Sequence, residues 1–155
     1  MIVLIALNTG MRKSEILGLK KGDIDLQNNI ITVSESKVRG QRETTKSGKR
    51  RDVPISESLK NELVDYMDTL EGDEFFTVNE FKRSFLGAVR RAGISDFTFH
   101  DLRHTFASYL VMGGIDLATV KELMGHATIQ MTMRYAHLSA DHRKRALEII
   151  QQIAP

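Results

Sequence analysis

Apolar residues recur at helical spacing through most of this chain, and this repeat most restricts the folds that it can adopt. Leu59, Leu63, Met67 and Leu70 stand three or four residues apart, as on the buried face of an amphipathic helix. Ser56 precedes them and can cap the helix, because its hydroxyl can accept a hydrogen bond from a free backbone N–H. The sequence therefore predicts mainly α-helical structure after Ser56.

Glycines and capping residues divide this helical region into further segments. A helix begins most readily where a short polar side chain can cap it and ends where glycine follows. The predicted helices run from Asn79 to Gly93, from Thr98 or Phe99 to Gly113-Gly114, from Asp116 to Gly125, from Thr128 through Tyr135, and from Ser139 onward.

The first third of the chain combines two helices with a small sheet. Ile2–Leu7 reads as a buried helix that ends before Gly10, and a second helix begins near Arg12. Ile30–Val33 is a β-branched run and predicts a strand. Ser47-Gly48 separates residues 42–46 from residues 50–55, and this pattern predicts a basic hairpin. We expect these strands to form one sheet within residues 29–55.

Length and composition fit a single domain. A chain of 155 residues hides roughly 70% of its unfolded surface when it folds. The predicted fold class is α+β, mostly α-helical, with a small three-stranded antiparallel sheet at one edge of a domain covering residues 1–155. The chain has no cysteine, which excludes disulfides and thiolate metal sites. Its longest apolar run, Met1–Leu7, is far shorter than the ~20 residues of a membrane span, so no membrane partner is expected.

Positive charge is concentrated in one short segment, which we call the basic strip. Residues 37–51 contain seven basic residues and a single acidic one, Glu43. The strip therefore carries a net charge of +6, on a chain whose total is only +2. A charge run is often a solvated surface, but a concentrated cationic segment on an otherwise acidic domain favours a polyanionic partner such as DNA. The strip consists of Lys37, Arg39, Arg42, Lys46, Lys49, Arg50 and Arg51.

Arg12 and Lys46 are the first candidates for a phosphate-handling site. Gly10 permits a tight turn before Arg12, and Glu15 lies three residues later, where it can orient the guanidinium through a charge-assisted hydrogen bond. Arginine suits a planar grip on two phosphate oxygens. Lys46 precedes the predicted hairpin turn, from which it could reach a bound backbone; the alternative is one more DNA-facing or solvated lysine.

His100 and Arg103 share a helix face, because they are three residues apart. With His104 they form the string His100-Asp101-Leu102-Arg103-His104, which superficially resembles a zinc-binding HExxH motif. A permanent cation beside His100 disfavours a metal and favours an anion, and His104 then reads as a structural histidine. A metal-dependent hydrolase that uses His100 and His104 stays open as an alternative at this point.

His126 and Tyr135 complete the candidate set. His126 follows Gly125 at an expected helix N-terminus, where backbone donors favour an anion. Tyr135 can act as a covalent nucleophile in a chain without cysteine. A tyrosine in a short helix is more often a core residue, and its interpretation as a nucleophile depends on the other five: Arg12, Lys46, His100, Arg103 and His126.

Five strings of residues, in order, resemble the tyrosine recombinase (phage integrase) family. The resemblance extends from near residue 1 to about residue 140. The strings are Thr9-Gly10-Met11-Arg12-Lys13-Ser14-Glu15, Thr45-Lys46-Ser47-Gly48, His100-Asp101-Leu102-Arg103-His104-Thr105-Phe106-Ala107, Leu123-Met124-Gly125-His126 and Arg134-Tyr135-Ala136-His137.

This resemblance implies a domain for DNA recombination and integration that cuts one strand at a time and rejoins it to a new partner. Tyr135 would form a 3′-phosphotyrosine link, with Lys46 protonating the 5′-oxygen that leaves. His100 would assist proton transfer at the tyrosine, and His126 would hydrogen-bond the phosphate. Arg12 and Arg103 would bind the non-bridging oxygens, with Glu15 supporting the site. DNA binding would fall to Lys37, Arg39, Arg42, Lys49, Arg50 and Arg51.

The resemblance also sets expectations for partners. Double-stranded DNA is the expected substrate, no metal or other cofactor is required, and the expected assembly is a homo-oligomer, a tetramer, on DNA, with a monomer in isolation as the alternative. A prokaryotic, cytoplasmic and nucleoid-associated location follows.

Family members carry an upstream helical DNA-binding domain, and this chain begins directly with a helix, which suggests a domain cut from a longer protein. Type IB topoisomerase activity and a non-catalytic DNA-binding domain are the other two readings.

Overall fold

The computed structural model describes residues 1–38, 41–44, 50–76 and 78–139. The chain divides into two compact units, Met1–Phe106 and Ala107–Pro155. Three predicted residues lie outside the described residues: Arg39, Lys46 and Lys49. The helix expected from Ser139 onward also lies outside them, apart from Ser139 itself.

Two short helices open the first unit, as the sequence predicted. Helix α1 is Ile2–Thr9 and helix α2 is Lys13–Gly18. Between them Gly10 adopts a left-handed conformation with φ of 60° and donates its N–H to the carbonyl of Ala6. This conformation carries a steric penalty for residues with a Cβ atom, so glycine is the residue that suits the turn. The turn places Arg12 at the N-terminus of α2 in an extended conformation.

A three-stranded antiparallel sheet follows, in agreement with the predicted fold class. The expectation of one sheet within residues 29–55 was wrong, because this sheet begins at Ile24 and residues 35–38 and 41–44 form a second sheet. Strand β1 (Ile24–Asp25) pairs with β2 (Ile30–Val33), and β2 pairs with the strand Arg51–Pro54, numbered β5. Between β2 and β5, strands β3 (Glu35–Val38) and β4 (Gln41–Thr44) form a separate two-stranded sheet.

The predicted pairing of the basic hairpin was wrong. The sequence suggested that residues 42–46 pair with residues 50–55 around Ser47-Gly48. Instead β4 pairs with β3, with Val38 opposite Gln41, and β5 pairs with β2, with Ile31 opposite Val53. The buried side chains Ile31 and Val53 meet in this register, and burial of that apolar pair specifies the pairing more strongly than a local turn signal.

Three longer helices complete the first unit and enter the second. Helix α3 is Glu57–Asp68, and Ser56 caps it as predicted by accepting a hydrogen bond from the Leu59 N–H at 3.2 Å. Helix α4 is Val78–Arg91. It begins before Asn79, so the expected cap at that residue was wrong. Helix α5 is Phe99–Met112 and matches the predicted bounds.

The described part of the second unit contains two further helices. Helix α6 is Leu117–Met124, with Asp116 as its cap, as predicted. Helix α7 is the short segment Gln130–Met133, followed by a 3₁₀ turn at Ala136–Leu138. Tyr135 therefore lies just after α7 and not within a helix, contrary to the prediction.

One apolar core occupies the first unit. It joins α1 and α2 to the β1-β2-β5 sheet, α3, α4 and the start of α5. Phe81 and Phe85 of α4 contact Phe99 edge-on, with ring centroids 5.0 and 5.4 Å away. This packing fixes the first turn of α5, which carries two of the candidate residues. Among the described residues, no helix has the length and apolar character that crossing a bilayer requires.

Candidate active site

Arg12 is held by the carboxylate of Glu15, the contact that the sequence suggested. The Arg12 Nη1 donates to Glu15 Oε1 at 2.9 Å, and the Arg12 backbone N–H donates to Oε2, with 2.8 Å between the heavy atoms. Glu15 thus bonds back to the residue that starts its own helix, as the acidic residue of a capping box does. A third of the Arg12 side chain stays exposed, whereas that of Glu15 is buried.

Glu15 also binds Arg51, a contact that the sequence did not predict. The Arg51 Nη1 donates to Oε1 at 2.9 Å and Nη2 donates to Oε2 at 2.8 Å. Burial alone would raise the pKa of the Glu15 carboxyl. The hydrogen bonds and positive charge of Arg51, followed by those of Arg12, outweigh burial and lower that pKa to about 2. Glu15 is therefore ionised throughout the neutral range.

Arg103 reaches the same turn from helix α5. Its side chain is buried, and its Nη1 donates to the backbone carbonyl of Gly10. The Phe106 ring covers Gly10 so closely that a Cβ atom added there would stand 2.3 Å from Cδ1 of the ring. One turn of backbone therefore connects the two arginines, with Arg12 following Gly10 and Arg103 bonded to it.

His100 lies at the exposed start of α5, next to His104. The two rings stand edge to face with their centroids 4.6 Å apart. Partial burial lowers the pKa of His100, and the neighbouring His104 and Arg103 lower it further. Asp101 works in the opposite direction but is itself bonded to the N–H and hydroxyl of Thr98. The neutral form of His100 is thus favoured in the neutral pH range.

His126 occupies a different helix end from the one predicted. Gly125, with φ of 61°, ends α6, and the Gly125 and His126 N–H groups donate to the carbonyls of Glu122 and Lys121. This is a Schellman motif at a helix C-terminus. The expectation of a helix N-terminus at His126 was wrong, because the glycine closes the preceding helix instead of opening a new one.

Thr132 links His126 to the segment of Tyr135. The His126 Nδ1 lies 2.9 Å from the Thr132 Oγ1, and the Tyr135 N–H donates to the Thr132 carbonyl at 3.0 Å. Thr132 is fully buried and Tyr135 is 5% exposed. Thr132 was not among the predicted site residues; its position three residues before Tyr135, in the short helix α7, was the available signal.

The basic strip is described in part. Lys37 and Arg42 are directly opposite each other in the β3-β4 pair. Arg50 is exposed and its Nη2 lies 3.4 Å from the Thr32 Oγ1. The DNA-binding role of the strip stays a prediction, and the observed partner of Arg51 is Glu15. In the described part of the chain, no three His, Asp or Glu side chains are grouped so that they could hold a metal ion.

Comparison with known proteins connects these features to one family. The sequence matches the phage integrase family over residues 1–142. It is 34% identical to tyrosine recombinase XerA of Pyrococcus furiosus, in an alignment that includes 96% of this chain and 53% of the relative. The chain spans between about a third and about a half of the length of the first curated relatives that it matches.

Solved structures show the same fold. The catalytic domain of bacteriophage HP1 integrase superposes with a TM-score of 0.74 at 37% identity, covering 95% of this chain and 79% of that domain. XerH site-specific recombinase, in a pre-cleavage complex with its difH substrate, superposes with a TM-score of 0.65 at 26% identity, over 87% of this chain and 41% of XerH. The predicted fold class is thereby confirmed.

Proposed function

The chain belongs to the phage integrase family, and we propose on that basis that residues 1–155 are the catalytic domain of a tyrosine-type site-specific DNA recombinase. The single observation that carries the proposal is the similarity to the HP1 integrase catalytic domain, of which the chain covers 79%. The proposed reaction is strand cleavage and rejoining without a metal ion. The names of the relatives favour recombination over the topoisomerase alternative and over a non-catalytic DNA-binding domain.

In the proposed reaction the Tyr135 phenolic oxygen attacks a backbone phosphorus atom. A bond forms between that oxygen and phosphorus, and the bond from phosphorus to the 5′-oxygen breaks. His100 accepts the phenolic proton and Lys46 donates a proton to the 5′-oxygen, which leaves as a hydroxyl. Attack by another 5′-hydroxyl reverses these steps and releases Tyr135. The covalent link conserves the phosphodiester, so rejoining needs no nucleoside triphosphate.

Three side chains stabilise the negative charge that develops on the phosphate oxygens in the transition state: Arg12, Arg103 and His126. Cationic donors that are already fixed in place stabilise the transition state more than the ground state. Glu15 supports this proposal for Arg12, because it fixes the guanidinium before substrate arrives. For His126, support comes from the buried Thr132 hydroxyl, which orients the imidazole. Removal of one such donor typically slows a reaction ~10²–10³-fold.

Double-stranded DNA is the proposed partner. The Tn1549 transposon integrase, which has a similar fold, was solved in complex with transposon right end DNA, and XerH was solved bound to its difH substrate. The +6 basic strip of this chain suits a phosphate backbone. We further propose assembly as a homo-oligomer, a tetramer, on DNA and a nucleoid-associated location in a prokaryotic cytoplasm.

Trapping of the covalent intermediate tests the proposed function. We expect the chain to form a covalent adduct with a nicked suicide duplex in EDTA, and Tyr135→Phe to abolish that adduct. Tyr109→Phe is the matched control, since Tyr109 is 66% exposed on α5 and should leave the adduct unchanged. A second assay, exchange between two sites beside plasmid relaxation, separates recombinase from topoisomerase activity.

Persistence of the adduct in Tyr135→Phe would contradict the assignment of the nucleophile. Absence of an adduct from the unmodified chain with every duplex tried, at high protein concentration and with a DNA-binding domain supplied, would contradict the proposed function and favour a DNA-binding domain without catalysis.

A further inference from the structure

We propose that Arg51 is a positioning residue, which acts on the reacting phosphate through Glu15 and Arg12 and not by contacting DNA. This inference rests on the proposed function. It assigns Arg51 a different task from its neighbours in the basic strip, although the sequence alone places all of them in one cationic run.

The geometry is that of one carboxylate shared by two guanidinium groups. Each Glu15 oxygen accepts one hydrogen bond from each arginine: Oε1 from both Nη1 atoms, Oε2 from the Arg12 backbone N–H and from the Arg51 Nη2. The four bonds measure 2.8–2.9 Å. The Arg51 side chain is 16% exposed and that of Glu15 only 3%. A fork-to-fork contact of this kind fixes orientation as well as distance.

The charges explain why a second arginine is needed. Arg12 and Glu15 alone would form a neutral pair, and a neutral pair attracts a phosphate weakly. With Arg51 the group carries a net charge of +1. Arg51 therefore satisfies the buried carboxylate while Arg12 keeps an effective positive charge for the substrate. A half-buried site magnifies this difference because water screens it less.

The strand supplies the rigidity that positioning requires. Arg51 begins β5, directly opposite Val33 of β2, and Val53 two residues later is buried in the core. Alternate residues of a strand face the same side, so Arg51 shares the inward face with Val53. Arg50, the preceding residue, is exposed. This two-residue alternation distinguishes the arginine that serves the site from the one that faces solvent.

The pH at which Glu15 is protonated distinguishes a positioning role from a DNA contact, because loss of a residue that only contacts DNA would leave that pH unchanged. The folded-state pKa of about 2 lies below the ordinary 4.5, so the stabilisation is present above pH 4.5 and is lost as the pH falls toward 2. Without Arg51, burial is less fully offset, so the pKa of Glu15 rises, its contribution to stability shrinks, and the folded protein protonates Glu15 at a higher pH. An Arg51 variant should therefore show an acid limb of the cleavage rate at higher pH than the unmodified chain, and a smaller loss of stability between pH 4.5 and pH 2.

The experiment compares Arg51→Gln with the adjacent Arg50→Gln in single-turnover cleavage of a suicide duplex across pH. We expect Arg51→Gln to slow cleavage by up to ~10²-fold, the scale of a misplaced catalytic group, with the salt dependence of DNA binding unchanged. Arg50→Gln should weaken binding and reduce the salt slope, with the pH profile unchanged. Combined with Glu15→Gln, Arg51→Gln should have little further effect, since its target is already lost.

Arg51→Lys keeps the charge without the fork and provides a second test if Arg51→Gln does not fold. We expect cleavage between the rates of the unmodified chain and Arg51→Gln, with the Glu15 carboxyl titrating at higher pH by NMR. An unchanged rate and pH profile in a folded Arg51 variant overturns the inference, as does a salt slope reduced as in Arg50→Gln. Failure of the unmodified chain to form an adduct is the distinct result that overturns the proposed function, and this role with it.

Discussion

His100 and His104 show how neighbouring side chains set each other's protonation. Burial lowers the pKa of His100 first, and the charge of His104 adds to that effect. Because the folded-state pKa lies below the ordinary 6.5, protonation of His100 favours unfolding. This contribution to stability is present above pH 6.5 and is lost as the pH falls through 6.5 to the folded-state pKa.

Replacement of His104 by glutamine should raise the pKa of His100. The variant removes a positive charge 4.6 Å from the His100 ring and loosens the packing that shields it. Titration of the imidazole signals by NMR measures the effect, and urea unfolding between pH 5 and 8 should show a smaller loss of stability on acidification. His137→Gln, an exposed histidine outside the pair, serves as the control. A His100 pKa that stays unchanged or falls in His104→Gln would contradict the electrostatic explanation.

The elements of the fold differ in how far local sequence determines them. The caps at Ser56 and Asp116 were predictable because a side chain bonds to backbone N–H groups two or three residues away. The partners of β4 and β5 were not, since β5 pairs with a strand about twenty residues earlier. Gly125 is a third case. The sequence correctly predicted a helix boundary there, but His126 was assigned to the start of a new helix, whereas it follows the end of α6.

The turn between α1 and α2 should be among the least tolerant elements of the fold. Gly10→Ala places a Cβ atom 2.3 Å from the Phe106 ring at a residue with φ of 60°. We expect a loss of about 2–4 kcal/mol in the free energy of unfolding, from the clash and the left-handed backbone together. Urea denaturation measures it. Gly72→Ala is the matched control, because a Cβ atom there meets nothing within 4 Å. Equal stability of the two variants would contradict this account of the turn.

The arginine contacts of the first unit join residues far apart in the chain, and this limits what sequence could predict of them. The Arg12–Glu15 contact was foreseen because its members stand three positions apart at the start of one helix. The contacts of Glu15 with Arg51 and of Gly10 with Arg103 span 36 and 93 residues, and they depend on how strands and helices pack. The sequence motifs therefore identified the candidate residues. The contact of Arg51 with Glu15 could be recognised only in the folded structure.

Charge over the whole molecule yields a last prediction, because the chain is nearly neutral while its basic strip carries +6. DNA affinity should fall steeply with salt, and the triple variant Arg39→Gln, Arg42→Gln, Lys49→Gln should reduce the slope of log K against log salt by up to about 3, at ~0.9 per phosphate contact. Fluorescence anisotropy with a labelled duplex at several salt concentrations measures both slopes. The control is an equal loss of charge at three exposed residues of α4, in Lys82→Gln, Arg90→Gln, Arg91→Gln, which should leave the slope almost unchanged. Equal reductions in the two triple variants would show that net charge, and not the basic strip, governs DNA binding.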